Sequence, residues 1–278
     1  MDSEAVKTYR YLRLSMVGVV VLLTASVLYE RNEAGCWLTS ISAYYYTPVR
    51  AIFVGGLMAI ALALVAIKGN TSFEDAALNT AGMLAPIVAV VPTERGTGTC
   101  LLATADPAAA PGAVEANIDN NMTALLIAGF FALALTVIIV VATTRSVRGL
   151  VRFGERGTRV GLLIAFVLLV AATLLFIYWD DFDTRAHGYA AVLMFGALAV
   201  AVALNAWAHR DALDVYFWLY ALIAGSMVAA AVVVFAVGDR WDHGVLILEA
   251  IEIALFAVFW IIQTVEHWDE TTRSTAPA

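Results

Sequence analysis

Eight stretches of this chain are apolar enough, and long enough, to lie in hydrocarbon, and that governs what the rest of the sequence can do. They fall at about 14–30, 49–68, 74–93, 122–144, 159–179, 187–208, 214–237 and 244–266. A bilayer core about 30 Å thick is crossed by about 20 apolar residues in a helix. The first run is short and spans if tilted or extended by Tyr29. Helices are required because each unpaired backbone group in lipid costs several kcal/mol, and a helix pairs them within itself. The 278 residues are 62% hydrophobic and 14% charged. Soluble domains average roughly 45–50% and about 25%, so no soluble domain of useful size is left over. The expected fold is all-α: a single transmembrane domain over 1–278, built as a polytopic helix bundle of about eight spans.

The basic residues orient it. With the N-terminus inside, the cytoplasmic segments hold Lys7, Arg10, Arg13, Lys68, Arg145, Arg148, Arg152, Arg156, Arg159, Arg210 and Arg273. The outer segments hold Arg31, Arg50, Arg95, Arg185 and Arg240. The positive-inside rule therefore places both termini in the cytoplasm. Lys7, Arg10 and Arg13 precede an apolar run that ends in Tyr29-Glu30-Arg31 rather than a small-residue cleavage site, so the run reads as a retained first span. Arg145, Arg148, Arg152, Arg156 and Arg159 form a basic hairpin suited to anionic lipid, with a specific headgroup or phosphate site as the sharper reading. No basic stripe lies elsewhere, which excludes a nucleic-acid partner. Segment 94–121 is rich in Ala, Gly, Pro and Thr and reads as a flexible connection.

Cys36 and Cys100 are the two cysteines. This topology puts both on the outer face, where an oxidising exterior permits a disulfide between them. The alternative is two unrelated thiols.

Ionisable groups inside a span are the main pointer to chemistry, because a charge at the bilayer centre costs about 2.5–3.5 kcal/mol even on insertion scales. Glu249 and Glu252 are three residues apart on the last span and share a helix face. Gln263 and Glu266 continue that face toward the cytoplasm. Such a pair suits a proton relay or cation site; the competing role is hydrogen-bonded glue between helices. The polar, aromatic segment Trp37–Arg50 contributes Ser42, Tyr44, Tyr45 and Tyr46, and Pro48 sits where a helix can begin. Arg50 lies at the outer boundary, where it can pair with a carboxylate such as Glu249 or snorkel to headgroups. Asn79 stands at mid-depth in the third span, opened by a capping box from Ser72 to Asp75. Asp211 or Asp214 can begin the seventh. His187, His243 and Asp183 are weak metal candidates; no His-x-x-x-His spacing supports them, and the expectation is no metal. Small residues at Gly55/Ala59/Ala63 and Ala199/Ala203 suit close helix packing.

The stretch Ser40-Ile-Ser-Ala-Tyr-Tyr-Tyr-Thr-Pro-Val-Arg50-Ala-Ile-Phe-Val-Gly55 resembles a signature of a family of uncharacterised bacterial multi-pass membrane proteins. Asp75 with Asn79-Thr-Ala-Gly82, the Pro92-Thr93 ending, His187 and the Glu249/Glu252 span are similar to the same family. More distantly, the serine-containing loop followed by Pro and a Phe-Gly-containing span resembles DRAM-like membrane proteins. The resemblance implies a multi-pass protein of the bacterial cell membrane and carries no established activity.

The functional expectation is an outward-facing polar pocket, lined by Glu249, Glu252, Arg50, His187, Ser42, Asn79 and Tyr44–Tyr46, that binds a small ligand, lipid headgroup or cation. The rivals are a proton- or cation-coupled transporter or channel, an intramembrane metal-dependent hydrolase, and a structural subunit that docks a second copy or another membrane protein. No nucleophile elbow, phosphate-binding glycine loop, zinc-protease motif or lysine in the last span is present, so an enzyme is the less favoured class and no cofactor is expected.

Overall fold

A computed structural model of the chain describes residues 4–94, 100, 110–144, 156–237 and 241–269. Among the described residues there are eight α-helices, one 3-10 helix and no strand. The helices are α1 (Glu4–Ala34), α2 (Arg50–Ala66), α3 (Ser72–Val90), α4 (Pro111–Thr144), α5 (Arg156–Tyr178), α6 (Phe182–Ala208), α7 (Val215–Val237) and α8 (Gly244–Glu266). The 3-10 turn covers Ser42–Tyr46, between α1 and α2. Six helices, all but α2 and α3, are long and apolar enough to cross a membrane. Of the two others, α2 has 17 residues, and α3 carries Glu74, Asp75, Asn79 and Pro86 in its 19. The chain is an integral, multi-pass membrane protein.

Some helices outrun their apolar runs. The first begins at Glu4 rather than near 14, because Lys7 reaches back to Glu4 at 3.0 Å and Arg10 donates to the Trp268 carbonyl at 2.5 Å. Charged residues extend this helix by packing at the end of the bundle. The opening of α3 also differs from expectation. Its N-cap is Thr71, whose hydroxyl accepts the Glu74 N–H at 3.1 Å. Asp75 instead accepts the Gly69 N–H at 2.5 Å and pairs with Lys68 at 2.6 Å. At the start of α7, Asp214 accepts the Phe217 N–H at 3.0 Å.

Neighbour packing closes a circuit: α1 on α2, α2 on α3, α3 on α6, α6 on α7, α7 on α8, and α8 back on α1. The fourth and fifth helices stand outside this ring, against α3. Two apolar clusters fill the bundle, one holding Leu78, Met194, Tyr220 and Trp260, the other Tyr44, Phe53, Ile118 and Phe182. Gly82 sets the α2–α3 distance, since a Cβ there would stand 2.9 Å from the Ala61 carbonyl oxygen.

Cys36 and Cys100 are joined in a disulfide. The end of the bundle that carries it is called the disulfide end below. Their separation of 64 residues gives a chain-entropy contribution of up to about 4 kcal/mol. Cys36→Ser is expected to lower the thermal midpoint in detergent and to raise chymotrypsin sensitivity of the 35–49 segment, which carries Trp37, Leu38 and Tyr44–Tyr46. Dithiothreitol on the wild type should reproduce both effects. Identical melting curves with and without reductant would sink this expectation. The basic hairpin residues Arg145, Arg148 and Arg152 lie outside the described residues, as does the side chain of Arg156; Arg159 is exposed at the start of α5.

Candidate functional site

At the disulfide end, the residues singled out from sequence fall into separate contacts. Glu249, one turn into α8, accepts the Ile41 N–H at 2.5 Å, the Ser42 N–H at 3.1 Å and the Ser42 hydroxyl at 2.6 Å. Its carboxylate thus closes the N-terminus of the Ser42–Tyr46 turn, a role that suits an anion at exposed backbone donors. Leu246 adds a backbone bond to the Thr39 carbonyl at 3.0 Å. Tyr46 donates its hydroxyl to the Thr93 carbonyl at 2.7 Å. His187 is buried, with Nδ1 2.7 Å from the Val91 carbonyl oxygen. Arg50 does not reach Glu249; its guanidinium lies over the Tyr45 ring at 4.7 Å. Tyr45, Pro48, Arg50 and Asn121 line a cleft of about 350 Å³, with Val54 and Val90 behind them. Asn79 is half-buried on α3, and His243 and Asp183 are exposed. Among the described residues no group of three or more His, Cys, Asp or Glu side chains is placed to hold a metal.

Glu252 goes elsewhere. It is 3% exposed, and its Oε2 has no hydrogen-bond partner among the described residues. The same α8 face continues through buried Phe256, Phe259 and Trp260 to Gln263. From residue 252 to 263 a helix rises about 16 Å. Three aromatic rings therefore separate Glu252 from the next polar group.

That next group belongs to a buried polar cluster at the end opposite the disulfide. Glu74, in the first turn of α3, is 1% exposed. Its Oε1 accepts Asn205 Nδ2 of α6 at 2.8 Å and Gln263 Nε2 of α8 at 3.2 Å, and its Oε2 accepts the Asn70 N–H at 2.7 Å. Asn70 also donates to Asn205 at 3.1 Å. Arg13 of α1, likewise 1% exposed, sits in the electrostatic reach of Glu74, Tyr220 and Glu266, with its guanidinium 5.7 Å over the Tyr9 ring. One carboxylate thus ties three helices and a loop together, and a buried cation from a fourth helix balances it.

A second knot lies beside the first. His209 places Nδ1 2.8 Å from Asp214 Oδ2 and Nε2 2.7 Å from Glu266 Oε1. Both nitrogens can donate at once only from the imidazolium. Tyr220 donates its hydroxyl to the other Glu266 oxygen, and His267 Nε2 stands 3.5 Å from it. Partial burial works against ionisation of Asp214, but the Phe217 N–H and the His209 ring outweigh it and hold that carboxyl below the usual range. The C-terminus of α6, the N-terminus of α7 and the C-terminus of α8 are pinned by these few side chains.

Sequence reasoning placed the site at the disulfide end and singled out Gln263 and Glu266 only as a continuation of the Glu249 face. It missed Arg13, Glu74, Asn205 and His209 as members of a buried cluster. A signal for Arg13 was present: with Met16, Val20, Leu23 and Val27 it follows the three-and-four spacing of a buried helix stripe. No protein-family model matches the chain, and no curated protein or solved structure matches it significantly.

Proposed function

We propose that this multi-pass protein handles protons or small cations along the interior of its helix ring. In this reading both termini are cytoplasmic, eight helices cross a bacterial cell membrane, and the Glu74 and His209 clusters form the cytoplasmic station. The observation that carries it is Glu252, a carboxyl buried inside a span with one oxygen unpartnered. A carboxyl at that depth is too costly to serve as filler, and its Oε2 lacks, among the described residues, the hydrogen bond that glue between helices would give it. Glu252, the aromatic constriction and the Gln263–Glu74–Arg13 cluster then follow one another along one face of α8. Transport through them requires the Phe256–Phe259–Trp260 rings to shift, which makes the aromatic segment the gate. The test is flux in vesicles reconstituted with the purified full chain, with an imposed proton, sodium or potassium gradient and a dye sensitive to the ion in question. Wild type is expected to dissipate one of these gradients, and Glu252→Gln to lose at least about tenfold, the rate equivalent of 1.4 kcal/mol. Flux that survives Glu252→Gln overturns the proposal.

One observation favours a second reading, an outward site for a small anion or lipid headgroup. It is the cleft of about 350 Å³ in which Arg50, Tyr45 and Asn121 converge. Arg50 presents a guanidinium of the geometry that grips phosphate. Binding of a soluble phosphate-headgroup analogue, followed calorimetrically, is expected to disappear in Arg50→Ala and to persist in Glu252→Gln. Equal heats for wild type and Arg50→Ala would remove this reading.

A further inference from the structure

Outside the ring lies another cleft, of about 870 Å³, between α3, α4, α5 and α6. Its space comes from small side chains: Ala128 on α4, Ala171 and Ala172 on α5, Ala186 and Ala190 on α6. Larger side chains at these positions would fill it. One limit of the cleft is the contact of α4 with α5 at Gly129, where an added Cβ would stand 2.7 Å from Leu169 Cδ1. At the other limit, toward the disulfide end, Tyr178, Trp179 and Tyr189 line it. Trp179 leans on Tyr189 with ring centroids 5.8 Å apart.

The length of the cleft identifies its occupant. From Leu169 to Tyr178 the helix rises about 14 Å, close to half of a hydrocarbon core about 30 Å thick. Tyr and Trp gather at headgroup level, so these rings mark the interface, and the cleft runs from there to mid-bilayer. Its walls are almost wholly apolar, which leaves water without the two to four polar partners it needs. A transmembrane helix of a second copy does not fit, being about 10 Å across and twice as long as the cleft. A single hydrocarbon tail fits in length and chemistry, and the volume lies within the roughly 300–1,000 Å³ of ordinary ligand sites.

We propose that this cleft binds one acyl chain of a phospholipid from the leaflet at the disulfide end, with the headgroup beside Trp179 and Tyr189. The site is independent of the ring interior, so its failure and that of the cation reading are separable. The lipid acts as a wedge: it fills the space between α5 and α6 and holds the two outer helices against α3.

The test uses the full chain in vesicles of palmitoyl-oleoyl phosphatidylglycerol and phosphatidylethanolamine, with a trace of phosphatidylcholine carrying a diazirine on one acyl chain. After irradiation, labelled residues are mapped by mass spectrometry. Label is expected to concentrate on Leu126, Ala172, Leu175 and Leu193, several-fold above the lipid-facing residues of α7. In native mass spectrometry from mild detergent, one phospholipid per chain should remain bound. Ala172→Phe and Ala128→Phe, on different helices, should each release it while eluting as the same folded species. Uniform labelling of the wild type along α4–α7 overturns the proposal without reference to any variant. So does retention of the lipid by both folded variants, or a second copy of the chain cross-linked at the cleft.

Discussion

Replacing Glu74 with alanine is expected to destabilise the detergent-solubilised protein by about 3 kcal/mol. Three donors lose their acceptor at once: Asn205 Nδ2, Gln263 Nε2 and the Asn70 N–H. Interhelical hydrogen bonds in membrane proteins average about 0.6 kcal/mol, with a maximum near 1.7, so three of them account for about 2. The remainder comes from Arg13, which is left buried without the carboxylate that balances it, a loss that in buried pairs brings the total to about 3–5 kcal/mol. Glu74→Gln should cost less, because it keeps an acceptor oxygen and the side-chain volume. The decisive measurement is a double-mutant cycle in the midpoint of denaturant or thermal unfolding. Arg13→Met is expected to be costly in the wild-type background and clearly less costly in Glu74→Ala, since there the cation has already lost its attraction to that carboxylate while Tyr220 and Glu266 remain within its electrostatic reach. If the two substitutions simply add, Arg13 and Glu74 are not coupled and the charge balance argued for this end of the ring is wrong.

These residues also show what can be read from one sequence. The apolar helices were legible because hydropathy over about 20 residues reports the solvent, and six of the eight are long and apolar enough to cross a membrane. Helix ends were less so. The N-terminal turns of α1 are held by Glu4–Lys7 and by Arg10 on the Trp268 carbonyl, one local and one between residues 258 apart in sequence. Neither adds hydropathy. Arg13 reads as a topology signal because Arg near a span end normally snorkels, and only the ring turns it inward. Asn205 and Gln263 are polar residues within apolar runs and are the kind of signal that points to a site. Their convergence on Glu74 depends on which helices are neighbours, and no pattern in α3, α6 or α8 alone contains that. Glu249 and Glu252 illustrate the converse. Three residues apart, they share a face near the helix, yet the first ends on the Ser42 turn and the second in the ring interior. A difference of about 60° around the axis is enough to send two side chains into different neighbours when the bundle packs as tightly as this one.

Glu249→Ala is expected to free the Ser40–Thr47 segment at a cost of about 3 kcal/mol, since three donors lose a charged acceptor. Two of the three are backbone N–H groups, at 2.5 and 3.1 Å on one carboxylate oxygen. That detail makes the glutamine variant informative. A glutamine amide at this position can offer its single oxygen to those N–H groups only by turning its NH₂ toward the Ser42 hydroxyl, which can accept. Glu249→Gln should therefore recover most of the folding energy and lose mainly the charge-assisted share, about 1 kcal/mol. Amide hydrogen exchange at Ile41 and Ser42 reads this directly: fast in Glu249→Ala, and slowed again in Glu249→Gln. The comparison also separates a structural glutamate from a titrating one. If Glu249 holds the turn, flux through the ring is unchanged in Glu249→Gln while it is lost in Glu252→Gln. If instead Glu249→Gln abolishes flux with the amides of Ile41 and Ser42 still protected, the carboxyl acts as a proton carrier at the disulfide end, and the conducting path begins at the Ser42 turn rather than at Glu252.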